Sequence, residues 1–250
     1  MTSAELVAQR REPWAVAAER ALRTLAPVTV AAVGLSVLIG GVGGRLAMAL
    51  LAGTNPENEG RISDDGFVIG RFDVGGTVQL LGFSFQVGLV AATLYLVARH
   101  LVFGPRWFQV VSMAVGAGVV VGAVIVHPDG VDFTLFDPPL LAIALFVAIP
   151  VVYVGCLALL AERLIDSAWA QTSGTRTLAV VTFVIWAIGA FTLLLLPVVV
   201  AIWACWHLVE STPVGTAVRS QTTRWLARAL LALVFVAGVT NLVDDASALV

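Results

Sequence analysis

The sequence contains no lysine: all fourteen basic residues are arginine, a usage that fits a GC-rich genome and carries no chemistry of its own. Charge of either sign is scarce. Asp, Glu, Lys and Arg make up 12% of the chain, about half of the roughly 25% found in soluble domains. A net charge of −2 with no basic tail speaks against nucleic acid as a partner. The two cysteines, Cys156 and Cys205, sit in apolar runs without C-x-x-C or zinc spacing, so they read as small core residues and not as a redox or metal pair. Catalytic signatures are missing as well. H-E-x-x-H, G-x-S-x-G, a Walker A loop and the Rossmann glycine fingerprint do not occur, and the reading is a non-enzyme without a cofactor or metal.

What is abundant is apolar length. The chain is 59% hydrophobic with a mean hydropathy of +0.97, and its apolar runs reach the roughly 20 residues needed to cross hydrocarbon. The fold class expected is an all-α, polytopic transmembrane helical bundle in a lipid bilayer, with about six spans at 24–53, 77–98, 108–126, 139–161, 177–209 and 225–243. Residues 1–23 are expected as a cytoplasmic amphipathic segment on the membrane surface, broken near Pro13, and 244–250 as a short acidic tail. The first long apolar run begins only after Arg23 and exceeds a signal-peptide core, so no cleaved leader is expected.

Arginine placement sets orientation. Arg10, Arg11, Arg20 and Arg23 precede span one, Arg99 and Arg106 separate spans two and three, and Arg163 and Arg176 separate four and five. These ends are expected in the cytoplasm of a cell whose cytoplasmic membrane holds the protein. The opposite loops, 54–76 and 127–138, are acidic and expected outside. Residues 177–209 are too long for one upright span, and a single crossing kinked at Pro197 is the expectation; re-entry is the alternative, which reverses the side of Arg219, Arg224 and Arg228.

The two outer loops share a pattern. Asp65-Gly66 precedes Phe72-Asp73, and Asp129-Gly130 precedes Phe136-Asp137, both D-G-x5-F-D, at an offset of 64 that also aligns Arg99 with Arg163. Either a duplicated helical hairpin or a coincidence of common turn residues produces this. Asp73 and Asp137 stand where helix N-caps are wanted. Glycines in GxxxG spacing, Gly40 and Gly44 in span one and Gly118 and Gly122 in span three, predict that these two spans cross closely. Tryptophans 107, 169, 186, 203, 206 and 225 read as interfacial anchors.

The remaining charges are the candidate functional residues: Arg45, Asp64, Asp65, His127, Asp129 and Asp132. Thr24 to Gly44 is a charge-free run of 21 residues, enough to span the hydrocarbon, so Arg45 is expected at the outer boundary. There it either snorkels to the headgroups or pairs with Asp65 or Asp129. His127 and Asp132 match the H-x4-D spacing of glycerolipid acyltransferases without the surrounding pattern, and with Asp64, Asp65 and Asp129 they could be imagined as a metal set without helical ligand spacing. The function expected is solute or ion transport or sensing through an outward vestibule; the alternative is a scaffold or accessory subunit with a protein partner or a second copy, and a membrane enzyme comes third.

The stretches "GGVGGRLAM", "GRISDDGFVIGRF", "FGPRW" and "HPDGVDFTLFDPP" with a following "AER" resemble a group of uncharacterised multi-pass membrane proteins of GC-rich bacteria, over roughly residues 35–165. The resemblance implies membrane location and lineage and no activity.

Overall fold

The computed structural model describes residues 14–64, 66–189 and 221–249. Among these, five helices are long and apolar enough to cross a membrane, and the protein is an all-α, multi-pass membrane bundle. The first helical rod runs unbroken from α1 (Trp14–Leu35) through a π-helical stretch (Ser36–Gly43) into α2 (Gly44–Thr54). The 40 residues from Ala15 to Thr54 measure about 60 Å at about 1.5 Å each, twice the hydrocarbon thickness. Residues 14–23 therefore do not form a separate surface helix, in contrast to the expectation, although residues 1–13 lie outside the described residues. The reason is at Arg23, which pairs with Glu19 at 2.7 Å and donates to the carbonyls of Ala170 and Gln171 at 2.8 and 2.6 Å. These bonds hold the turn in line with the span.

Next come α3 (Val74–Ala98), α4 (Arg106–Ile125), the one-turn α5 (Val131–Thr134), α6 (Pro139–Ile165), the short α7 (Ala168–Thr172), α8 (Thr175–Ile188) and α9 (Gln221–Leu249). The core forms where α1, α3 and α6 meet. Val28, Ala31 and Ala32 face Ala92 and Tyr95 of α3 and Tyr153, Leu157 and Ala161 of α6. Alanines let the backbones approach, and the Tyr153 hydroxyl, donating 3.1 Å to the Ala32 carbonyl, takes a carbonyl that already serves the helix.

Glycine faces serve different neighbours from those expected. Gly41 abuts Leu81 of α3, where an added Cβ would stand 2.6 Å from its Cδ2. Gly118 abuts Val151 and Val147 of α6, and Gly122 touches Val147 and Leu242. Span one thus closes on span two and span three on span four, and the expected crossing of spans one and three is replaced by two tight hairpin contacts. A small face permits close approach without naming its partner. Gly118→Val is expected to destabilise by about 1–3 kcal/mol through overpacking. Gly116→Val, at a position where a Cβ meets nothing, is expected to be neutral in the same thermal-unfolding assay.

The helices define two ends. Arg23, Arg99, Arg106, Arg163 and α7 share one, called here the arginine end; loops 55–73 and 126–138 share the other, the loop end. Helix α8 starts at the arginine end beside α1. Helix α9 also starts there, because Arg228 Nε donates 2.8 Å to the Leu101 carbonyl, while Leu242, Ala246 and Leu249 reach the apolar cluster at the loop end. The expected single crossing over 177–209, kinked at Pro197, falls on residues 190–220, which with Cys205, Trp203 and Trp206 lie outside the described residues. Two smaller corrections follow from the same packing. Asp244 and Asp245 belong to helix α9 and not to a tail. Trp186 is not interfacial: it is fully buried, with its indole Nε1 donating 3.4 Å to Thr29 Oγ1.

Candidate functional site

Helix α2 carries Arg45 two residues after the π-helical stretch and continues beyond it to Thr54. A widened i→i+5 turn of this kind is uncommon and recurs at functional positions. Asn55 ends the helix: its Nδ2 donates 3.1 Å to the Leu51 carbonyl. The chain then folds back over α2. Ser63 N donates 2.8 Å to the Phe67 carbonyl and Ile69 N 2.8 Å to the Arg61 carbonyl, around an isolated Ile62–Val68 bridge. Gly66 takes φ +79° in this turn, a conformation glycine adopts without strain.

The returning loop is stitched to the 126–138 loop. Asn55 Oδ1 accepts from Asp137 N at 2.8 Å, Asn58 Nδ2 donates to the Leu135 carbonyl, and Asp64 Oδ2 accepts from Asp132 N at 3.1 Å. Asn55 is 2% exposed. Asn55→Ala would strand the Asp137 amide, while the Leu51 carbonyl keeps the Thr54 hydroxyl at 3.0 Å, and a loss of about 1–2 kcal/mol is expected, visible as faster hydrogen exchange across 132–137.

Between loop and helices lies a cavity of about 360 Å³, lined by Arg45, Met48, Phe67, Ile69, Phe136 and Phe146 among others. Its polar lining comprises Arg45, Arg71, Glu59, Ser63 and Asp132. Arg45 is only 8% exposed, and both Nε and Nη2 are buried without a hydrogen-bond partner. Instead its guanidinium lies over the rings of Phe67, at 5.0 Å, and Phe72, at 5.9 Å. Helix α3 begins beside it. Asp73 Oδ1 accepts from Gly76 N at 2.7 Å, and a Cβ on Gly76 would stand 2.8 Å from Arg45 Nη2, so a side chain there would push the guanidinium from its place. Arg45 is thus buried under a loop. It neither snorkels nor pairs with Asp129, since no described carboxylate forms an ion pair with it. Asp65 lies outside the described residues.

The other expected site residues are placed as follows. Asp64 and Asp132 meet across the two loops, and Asp132 is buried. His127 is exposed, its ring edge-on to Phe133 at 6.3 Å, and no hydrogen bond joins it to Asp132. Asp129 is exposed in the same turn. Among the described residues no three His, Cys, Asp or Glu side chains are grouped to hold a metal ion. Asp137 is not a cap: Pro138 occupies the cap position of α6 with Pro139 following, no side-chain bond forms there, and Asp137 sits one residue too early.

At the arginine end a second hollow of about 250 Å³ opens between α3, α4 and α6. Glu162 accepts from the Tyr95 hydroxyl at 2.8 Å and from Arg99 Nη2 at 3.1 Å. His100 stands at its edge, where partial burial and then the Arg99 charge hold the imidazole below its ordinary value, against the opposing pull of Glu162. A lowered value favours the neutral ring in the folded protein, so this contribution is present above about pH 6.5 and fades as pH falls through the folded value. Glu162→Gln removes this opposing pull and is expected to lower the His100 titration midpoint further, as followed by imidazole NMR.

Asn55, Asn58 and Phe67 carry no signal in the sequence pattern, and Phe72 stands out there only as a member of the repeated D-G-x5-F-D segment. Each acts across a fold-back that local patterning does not reveal, although an Asn after a helix ending in Thr54 is a turn signal in retrospect. No protein family, no characterised protein and no solved structure matches the chain.

Proposed function

We propose that the protein binds a small solute in the cavity at the loop end, as the recognition step of transport or sensing. The observation that carries this is a cavity of about 360 Å³ lined by a buried cation, Arg45, whose Nε and Nη2 have no hydrogen-bond partner. Cavities of this size with apolar walls and few polar groups suit small ligands. The arginines gathered at the opposite end support placing the cavity outside a cytoplasmic membrane, with the N-terminus inside. The repeated D-G-x5-F-D segments lead into α3 and α6, which run the same way, and this supports a duplicated hairpin as the frame of the site. A binding role is favoured over an acyltransferase-type one because His127 lacks the aspartate bond that would make it a base.

The test is thermal shift of the full chain in phosphatidylcholine nanodiscs against a panel of small carboxylates, amines and sugars. At least one compound should give a saturable shift that Ala49→Trp, which fills the cavity, abolishes. A panel in which no shift depends on Ala49 would overturn the reading. Flux into proteoliposomes then separates transport from sensing.

A further inference from the structure

We infer that the ligand of this cavity is a monoanionic amphiphile: a two-oxygen acidic head, carboxylate or phosphodiester, bound by Arg45, with an apolar body against the aromatic walls. The inference rests on the solute-binding reading and specifies its chemistry. Arginine cannot shed its proton to escape burial, and an uncompensated buried charge is strongly unfavourable. Two phenylalanine faces offset part of this, yet they accept no hydrogen bond in line with an N–H. Nε and Nη2, the two unpartnered atoms, lie on the same edge of the guanidinium, where parallel N–H groups match two oxygens of one acid. A single-atom anion would leave one of them unused. The amino-terminal turn of α3, the positive end of its dipole, adds to the field beside Arg45.

Charge limits the head to one negative unit. Arg45 and Arg71 are balanced in the lining by Glu59 and Asp132, which leaves it net neutral, so a dianion would bring two uncompensated negative charges, whereas a monoanion brings one and supplies the hydrogen-bond partner that Arg45 lacks. The rest of the wall sets the body. Met48, Leu51, Phe67, Ile69, Phe136 and Phe146 offer nothing to a second polar group and favour an arene or a short hydrocarbon. Two sources supply such a molecule: a free organic acid reaching the loop end, or an anionic lipid of the surrounding leaflet whose phosphodiester enters from the side.

The experiment uses the full chain in phosphatidylcholine nanodiscs, titrated calorimetrically with 4-phenylbutyrate and with 4-phenylbutanol, which keeps the body and lacks the charge. In parallel, the chain is placed in nanodiscs doped with phosphatidylglycerol. A free acid as ligand predicts saturable 4-phenylbutyrate binding, at least tenfold tighter than the alcohol, weakened at least tenfold in Arg45→Gln and less in Arg45→Lys. A lipid as ligand predicts instead that phosphatidylglycerol raises the unfolding temperature of the wild type and not of Arg45→Gln, and that it competes with 4-phenylbutyrate. Should Arg45→Gln fail to fold, the acid-to-alcohol ratio on the wild type and the Arg45→Lys titration decide. Acid and alcohol binding equally, both blocked by Ala49→Trp, would sink the anion while leaving the solute pocket standing. No Arg45-dependent response to either anion and no probe sensitive to Ala49→Trp would sink both.

Discussion

Replacing Arg45 with methionine is expected to raise the unfolding temperature of the ligand-free protein, the reverse of what substitution at a buried position usually does. The side chain is 8% exposed and two of its nitrogens have no hydrogen-bond partner. Burying an ion without a partner is unfavourable by several kcal/mol even after relaxation. The rings of Phe67 and Phe72 return about 1–2 kcal/mol as cation–π attraction. Methionine keeps the length and flexibility of the stem, fills the space left by the guanidinium and adapts to aromatic neighbours. The balance favours the variant by about 1–3 kcal/mol, which at roughly 2–4 °C per kcal/mol for a chain of this size is a measurable upward shift. Arg99→Met supplies the contrast. Arg99 is bonded to Glu162, so its loss leaves a partly buried carboxylate with only Tyr95, and the shift should be downward. Adding 4-phenylbutyrate should then restore the ordinary order at Arg45, because only the wild type gains from the anion. If Arg45→Met lowers stability as much as Arg99→Met does, Arg45 is satisfied in the native protein and the anion site loses its basis.

The helices were legible because lipid imposes a simple rule: a run of about 20 apolar residues with its backbone internally bonded. The spans at 74–98, 106–125 and 139–165 fall within a few residues of their hydropathy limits. Arg45 was legible as the one charge in the apolar run 24–53. Its burial was not. That depends on Asn55, Asn58 and Asp64 bonding to residues 132–137, pairs separated by 68 to 82 positions, and no local pattern reports them. The glycine faces of spans one and three were visible, but which helix meets which is decided by shape across the whole bundle. The start of α9 at the arginine end turns on Arg228 meeting Leu101, Phe103 and Trp225, contacts that hydropathy does not encode. Asp137 shows the reverse failure: the cap signal was present, and the two prolines after it moved the helix start beyond its reach.

The largest loss of stability is expected at Trp186. An indole in an apolar run resembles a membrane-interface anchor, but α8 turns this one inward, against Val33 of α1 and Leu89 of α3, with Phe85 and Ile185 around it. Lipid is as apolar as the core, so burial alone does not hold α8 in place. What holds it is the sum of dispersion contacts over a large flat ring and one hydrogen bond that has no alternative partner in hydrocarbon. Trp186→Ala removes both and opens a cavity at a fully buried position, for which about 3–5 kcal/mol is expected. Trp186→Phe keeps most of the ring and loses only the Nε1 donor to Thr29, with an expected loss of about 1–2 kcal/mol from the missing hydrogen bond and the smaller ring together. Thr29→Val removes the acceptor from the other side, and the Trp186→Phe, Thr29→Val double variant should lose less than the sum of the two. Denaturation of the detergent-solubilised protein measures all four. A loss below about 1 kcal/mol for Trp186→Ala would mean that α8 is not docked through this ring, and the parallel placement of α8 beside α1, on which the topology of the carboxy-terminal third depends, would have to be abandoned.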